Sequence, residues 1–99
     1  MDPVIIRGTV ASLRLDAVAA LGFSTSRSKI AEEIKAERVR VNSVPVTDPS
    51  KPVKLGDTIT AKGRRTLVKL EEVTGQTKKG RLGIVVSRSQ CHPEDIGNL

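Results

Sequence analysis

Two short stretches hold the residues best suited to chemistry. Ser26-Arg27-Ser28-Lys29 sets two cations at the predicted start of a helix, and Arg38-Val39-Arg40-Val41-Asn42 sets two arginines and an amide on a predicted strand. Strand side chains alternate, so a strand that buries Val39 and Val41 turns Arg38, Arg40 and Asn42 the other way. The free N–H groups and the dipole at a helix N-terminus add to the attraction for anions. The chemistry implied is phosphate recognition by charge held on regular structure, not turnover of a small substrate. Arg27, Lys29, Arg38 and Arg40 are the candidate contacts, with Arg14, Lys35 and Asn42 in support. Arg64 and Arg65, at a predicted turn beside Lys62, form a candidate second patch. Local structure competes for several of these: Asp16 for Arg14, Glu32 for Lys35, and the turn itself for Asn42. Lys78, Lys79 and Arg81 make a further basic turn that either touches a polyanion or keeps a hairpin soluble.

The remaining chemistry-bearing residues point nowhere comparable. Cys91 and His92 are adjacent, but zinc needs three or four ligands and the chain has no other Cys or His. As a nucleophile and base they lack a third group to orient them. No glycine-rich phosphate loop is present, and Gly56-Asp57 reads as a turn. The expectation is a protein that is not an enzyme and carries no metal, cofactor or small-molecule substrate. One cysteine allows no internal disulfide and suits a reducing compartment.

Charge narrows the partner. The chain carries 17 Lys and Arg against 11 Asp and Glu, and the excess is clustered: residues 24–54 hold seven basic and four acidic groups, residues 62–88 eight and two. A clustered field attracts polyanions better than a scattered one, which favours nucleic acid. Phe23 is the only aromatic residue. That excludes the folds that stack bases on two or more exposed rings, so any nucleic acid must be held by phosphates, sugars and shape. No apolar run approaches the ~18 residues of a membrane span, and the N-terminus lacks a signal-peptide layout. The expected location is cytoplasmic, or the plastid stroma for a photosynthetic eukaryote.

Ninety-nine residues make one domain. Val4 to Ile6 reads as a short strand or extended lead-in. Ser12 caps a helix over 13–21 with Asp16 in its first turn, Leu15, Val18 and Ala19 as its apolar stripe, and Gly22 as its stop. Phe23 plugs the corner before a second helix, capped by Ser24 or Ser26 and running to about Ala36. Ile30, Ala31 and Ile34 are its buried stripe, with Glu32 and Glu33 facing solvent. A hairpin follows over 39–42 and 44–46, turning at Asn42-Ser43, then a loop over 47–52 and a strand over 58–61. Strands over 67–73 and 82–87 flank a break at Thr74 to Gly80. The organisation is a lead-in over 1–11, a domain over 12–88 and a flexible tail over 89–99.

The pieces Arg14-Leu15-Asp16, Ser26-Arg27-Ser28-Lys29, Val39-Arg40-Val41-Asn42 and Gly56-Asp57 before Ile59, at this spacing, resemble the S-four RNA-binding domain, named after a small-subunit ribosomal protein. The stretch from Gly63 to Ser89 extends the likeness to the C-terminal part of YlmH-like proteins of bacteria, cyanobacteria and plastids. The resemblance implies an α+β fold, a two-helix motif (alpha-L) packed on a small, mainly antiparallel, curved sheet. It implies a monomeric, ribosome-associated module that binds structured RNA, ribosomal or transfer RNA. The alternatives are an accessory RNA-binding domain of an RNA-modifying enzyme and a protein-interaction module using the basic face. Two positions depart from the family. Glu37 and Ser43 stand where glycine is usual, and a non-glycine residue in the left-handed conformation costs about 1 kcal/mol. For the cations to act together, Arg27 and Arg40 must share one outward plane.

Overall fold

The computed structural model describes residues 3–90; of the predicted tail over 89–99, Cys91, His92 and the residues after them lie outside these. The chain runs β1 (Val4–Val10), α1 (Leu15–Phe23), α2 (Arg27–Lys35), β2 (Val39–Val41), β3 (Val44–Pro45), β4 (Thr58–Ala61), β5 (Thr66–Gln76) and β6 (Leu82–Gln90). The six strands form one sheet in the order β1-β6-β5-β4-β2-β3, every neighbouring pair antiparallel. The fold is α+β, as the sequence predicts.

α1 is apolar almost all round, and a helix of that kind is buried. Leu15 to Ala20, Gly22 and Phe23 are all buried. The predicted stripe of Leu15, Val18 and Ala19 is therefore only part of what α1 buries. Beneath it lie Ile84 and Val86 of β6, Val68 and Leu70 of β5, and Ile59 and Ala61 of β4. Val39 and Val41 of β2 continue the same core. α2 adds Ile30 and Ile34, and Ala31 is half-buried at its margin.

Both ends of α1 depart from the sequence reading. Ser12 is not its cap: the N-cap is Arg14, which makes no side-chain cap bond. Instead the Leu15 N–H donates to the Lys51 carbonyl at 2.8 Å and the Asp16 N–H to the Pro49 carbonyl at 3.0 Å. A strap from the 47–53 loop thus satisfies donors that local sequence leaves open. Nor does Gly22 end the helix. Its missing side chain lets α1 sit directly on Val68, where an added Cβ would collide with both Val68 methyls. Ser24, left-handed at φ 56°, is the C-cap, and the Arg88 guanidinium donates to the Gly22 carbonyl and the Ser24 hydroxyl. α2 begins as predicted, with the Ser26 hydroxyl accepting from the Lys29 N–H at 3.1 Å.

The strands run longer than their patterns. Residues 4–10 form a full edge strand paired with β6, from Val4 opposite Arg88 to Val10 opposite Leu82. Residues 74–76, predicted to lie in a break, continue β5 through register shifts at Leu70/Glu72 and Val73/Gly75. Such bulges twist a strand without ending it. Ser89 and Gln90 close β6 against Leu67 and Thr66.

Glu37 and Ser43 occupy left-handed backbone, at φ 63° and 68°. Asn42, at φ 51°, joins Ser43 in the paired positive-φ turn that closes a two-residue hairpin. Glu37→Gly removes a steric cost and is expected to raise stability by about 1 kcal/mol, read as a higher midpoint in urea. Gly22→Ala normally helps a helix by about 1 kcal/mol. Here it is expected to lower the midpoint, because the new methyl must displace Val68; a midpoint at or above wild type would show that the interface gives way.

Candidate nucleic-acid interface

The candidate cations fall into separate groups. Asp16 organises the first. Its carboxylate is buried at 7% side-chain exposure, while its two partners, Arg14 and Arg27, remain 43% and 54% exposed. Arg14 approaches through Nε at 3.2 Å and Nη2 at 3.1 Å, Arg27 through Nη2 at 3.3 Å. A guanidinium has five N–H donors in a fixed fork, so each arginine is oriented from one edge and keeps donors for an anion on the other. Asp16, read from sequence as a helix cap and a rival for Arg14, therefore also aims Arg27.

Glu33 organises the second. It does not face solvent as predicted but receives Arg64, whose Nη2 lies 2.9 Å from Oε2 and Nε 3.3 Å from Oε1. The same guanidinium lies 5.3 Å from the centre of the Phe23 ring, a cation–π distance. Arg64 thereby ties the β4–β5 turn to both helices and has less left to offer RNA than its neighbours. The Arg64 hydrogen bond, opposed by burial and aided by the charges of Arg64, Arg38 and Lys29, holds the Glu33 carboxyl below its ordinary value. The charges of Lys29 and Arg38 thus both act on one acid of α2. Arg38 also reaches the Lys62 carbonyl at 3.5 Å, which brings it to the turn that carries Lys62 and the exposed Arg65. Lys35 is exposed in the last turn of α2.

Two candidates stand apart. Asn42 is occupied by structure. Its amide nitrogen donates to Asp57 at 2.9 Å and its oxygen accepts from the Thr58 N–H and hydroxyl, locking the β2–β3 hairpin to the Gly56-Asp57 turn. Burial pushes the Asp57 carboxyl up. The Lys54 N–H, the Asn42 amide and the charges of Lys54 and Lys51 outweigh that and bring it below the ordinary value.

Arg40 pairs in register with Thr60 and Pro45. Within β2 the alternation that buries Val39 and Val41 under the helices turns Arg40 to the sheet's other face, whereas Arg27 stands on the helix side beside Asp16, and Arg38, which precedes β2, acts on Glu33 of α2. The single plane expected for Arg27 and Arg40 is therefore not what the sheet produces. Val39 and Val41 required an opposite face for Arg40, but only the position of the helices decides which face carries the other cations.

Among the described residues no three His, Cys, Asp or Glu side chains gather as a metal site, and no helix is long and apolar enough to cross a membrane. The Glu33–Arg64 contact shifts both partners, lowering the carboxyl and raising the guanidinium. With its carboxyl lowered in the folded state, Glu33 adds stability that is present above the ordinary Glu range and lost as pH falls through the folded value. Arg64→Ala is expected to cost about 1–2 kcal/mol at neutral pH through the lost pair and ring contact. The deficit should shrink on acidification, checked by urea midpoints across the acid range; a pH-independent deficit would leave the ring contact as the sole cause.

Residues 13–59 match the family model described as the S4 domain. Over 92 residues the chain is 39% identical to the ribosome-associated protein quality control protein P2 of Bacillus subtilis (strain 168). That alignment takes in 91% of this chain and 35% of the relative, so the chain spans about a third of that protein's length. The matched residues begin just before Arg14 and end within β4, and so contain both helices, the Asp16 cluster and the β2–β3 hairpin. The S4 domain is an RNA-binding module, and residues 13–59 of this chain carry one.

Proposed function

We propose that the chain binds structured RNA of the ribosome or of transfer RNA by shape and phosphate charge, with the outer side of α2 as its centre. Arg27, Lys29 and Arg38 are the principal contacts, Arg14 and Lys35 support them, and Lys62 and Arg65 extend the surface at the neighbouring turn. The observation that carries this reading is the division of labour around Asp16 and Glu33. Asp16 is held by Arg14 and Arg27, which stay half-exposed, and Glu33 is held by Arg64, with the exposed Lys29 and Arg38 acting on it as well. The name of the Bacillus subtilis relative supports a ribosomal setting, and with it a cytoplasmic or stromal location. Arg40 belongs to the other face and takes no part in this surface, and Asn42 acts by holding the hairpin.

Four to six neutralised phosphates give a salt dependence of log K against log salt near −3 to −5. Replacing Lys29 and Arg38 together by Glu should weaken binding to structured RNAs across sequences and flatten that slope by about 1.5 or more. Arg40→Gln should leave both unchanged. Filter binding over a salt series on a ribosomal RNA fragment checks this; unchanged affinity in the Lys29/Arg38 double variant, or a large loss in Arg40→Gln alone, would reject the α2 surface. A partner captured equally well after nuclease treatment would point instead to an acidic protein.

A further inference from the structure

Residues 62–88 hold most of the chain's positive excess, and all of them lie beyond the S4 match. The structure sorts these cations by occupation. Arg64 is held by Glu33, Lys69 lies 3.8 Å from Glu71, and Arg88 caps α1. Arg81 is held too, but for a different purpose. Its Nε donates to the Thr9 hydroxyl at 3.1 Å and its Nη2 to the Thr9 carbonyl at 3.0 Å. This clamps the β5–β6 hairpin to the edge strand β1. The tip beyond it is closed by the Thr77 N–H on the Arg81 carbonyl at 2.7 Å, the Arg81 N–H on the Thr77 hydroxyl, and the Gly80 N–H on the Thr77 carbonyl. Lys78 and Lys79 stand exposed on this tip, with no ion-pair partner among the described residues.

The clamp also sets where the tip lies relative to α2. Arg81 and Arg27 line one groove of about 390 Å³ between β1 and α1, far apart in sequence but on the same rim. The groove thus connects Arg27 at the start of α2 with Arg81 at the base of the tip. Lys62 and Arg65 stand before β5 and Lys78 and Lys79 after it. At ~3.3 Å per residue the eleven residues of β5 span about 33 Å.

We propose that the β5–β6 tip is a second RNA-contact point outside the S4 match, in which Lys78 and Lys79 hold the phosphates of the same structured RNA that α2 engages, and Arg81 is the positioning residue that aims them. The proposal rests on the RNA-binding reading above. The nearest acids on the hairpin, Glu71 and Glu72, lie at the first register shift, before the second, and away from the tip, so among the described residues of the hairpin no acid competes with an incoming phosphate for these lysines.

The test replaces Lys78 and Lys79 together by Gln and measures binding to the ribosomal RNA fragment over the same salt series, beside the Lys29/Arg38 variant. The tip variant should melt like wild type, because both side chains are exposed. It should bind roughly five- to tenfold more weakly at low salt, with a slope shallower by about 1.5. Arg81→Ala should give a smaller loss with the slope retained, since the lysines remain but are no longer aimed. Wild-type affinity and slope in the tip variant, with binding lost in the Lys29/Arg38 variant, would overturn the tip and leave the RNA-binding reading standing. No binding by wild type would remove both.

Discussion

A buried carboxylate in the most apolar helix of the chain is the constraint around which the rest is arranged. Asp16 sits among Leu15, Ala17, Val18, Ala19 and Ala20, all buried. An unpaired charge there would be prohibitively costly, and Arg14 and Arg27 both converge on it. Meeting that need fixes three things at once. The start of α2 is drawn to the start of α1. The 47–53 strap, whose carbonyls cap α1 and whose Pro52 bridges Arg14, is held over both. Two guanidinium groups are left half-exposed with a defined orientation. Stability and anion binding therefore use the same residues.

The sheet supplies the second constraint. β1 and β6, the first and last strands of the chain's described residues, are neighbours in it and pair along the full length of β1. That pairing gives α1 its floor and gives Arg81 the Thr9 site to which it clamps. The S4 match ends in β4, so the partners that complete its core, Val68, Leu70, Ile84 and Val86, lie outside the matched residues. The extension to Gln90 is thus part of the same folded unit rather than an appendage to it.

Arginine and lysine divide the work according to their chemistry. Arg14, Arg27, Arg64, Arg81 and Arg88 each make a defined contact with a carboxylate, carbonyl or hydroxyl. Arginine can do this and still present donors, because its fork is planar and pre-organised. The lysines Lys29, Lys35, Lys62, Lys78 and Lys79 stay exposed, suited to a diffuse phosphate backbone as mobile point charges. A surface of this kind reads shape and charge rather than base identity.

The sequence by itself determined both helices, the Ser26 cap, the Asn42-Ser43 turn and the cations of α2, because each of these is written in local periodicity, capping chemistry or turn chemistry; the fold class was legible through the family resemblance. The strain at Glu37 and Ser43 was legible through family resemblance alone and appears as positive φ. Tertiary structure decided the rest. Whether Ser12 or a distant strap caps α1 depends on a loop more than thirty residues away, and whether Gly22 is a stop or a point of contact depends on Val68. The full reach of β1 and β5 depends on β6, since pairing can carry a strand through residues whose own pattern ends it. The face that Arg40 joins depends on where the helices pack. Alternation says only that neighbours point apart; it takes a packed core to say which of the two directions is the helix side.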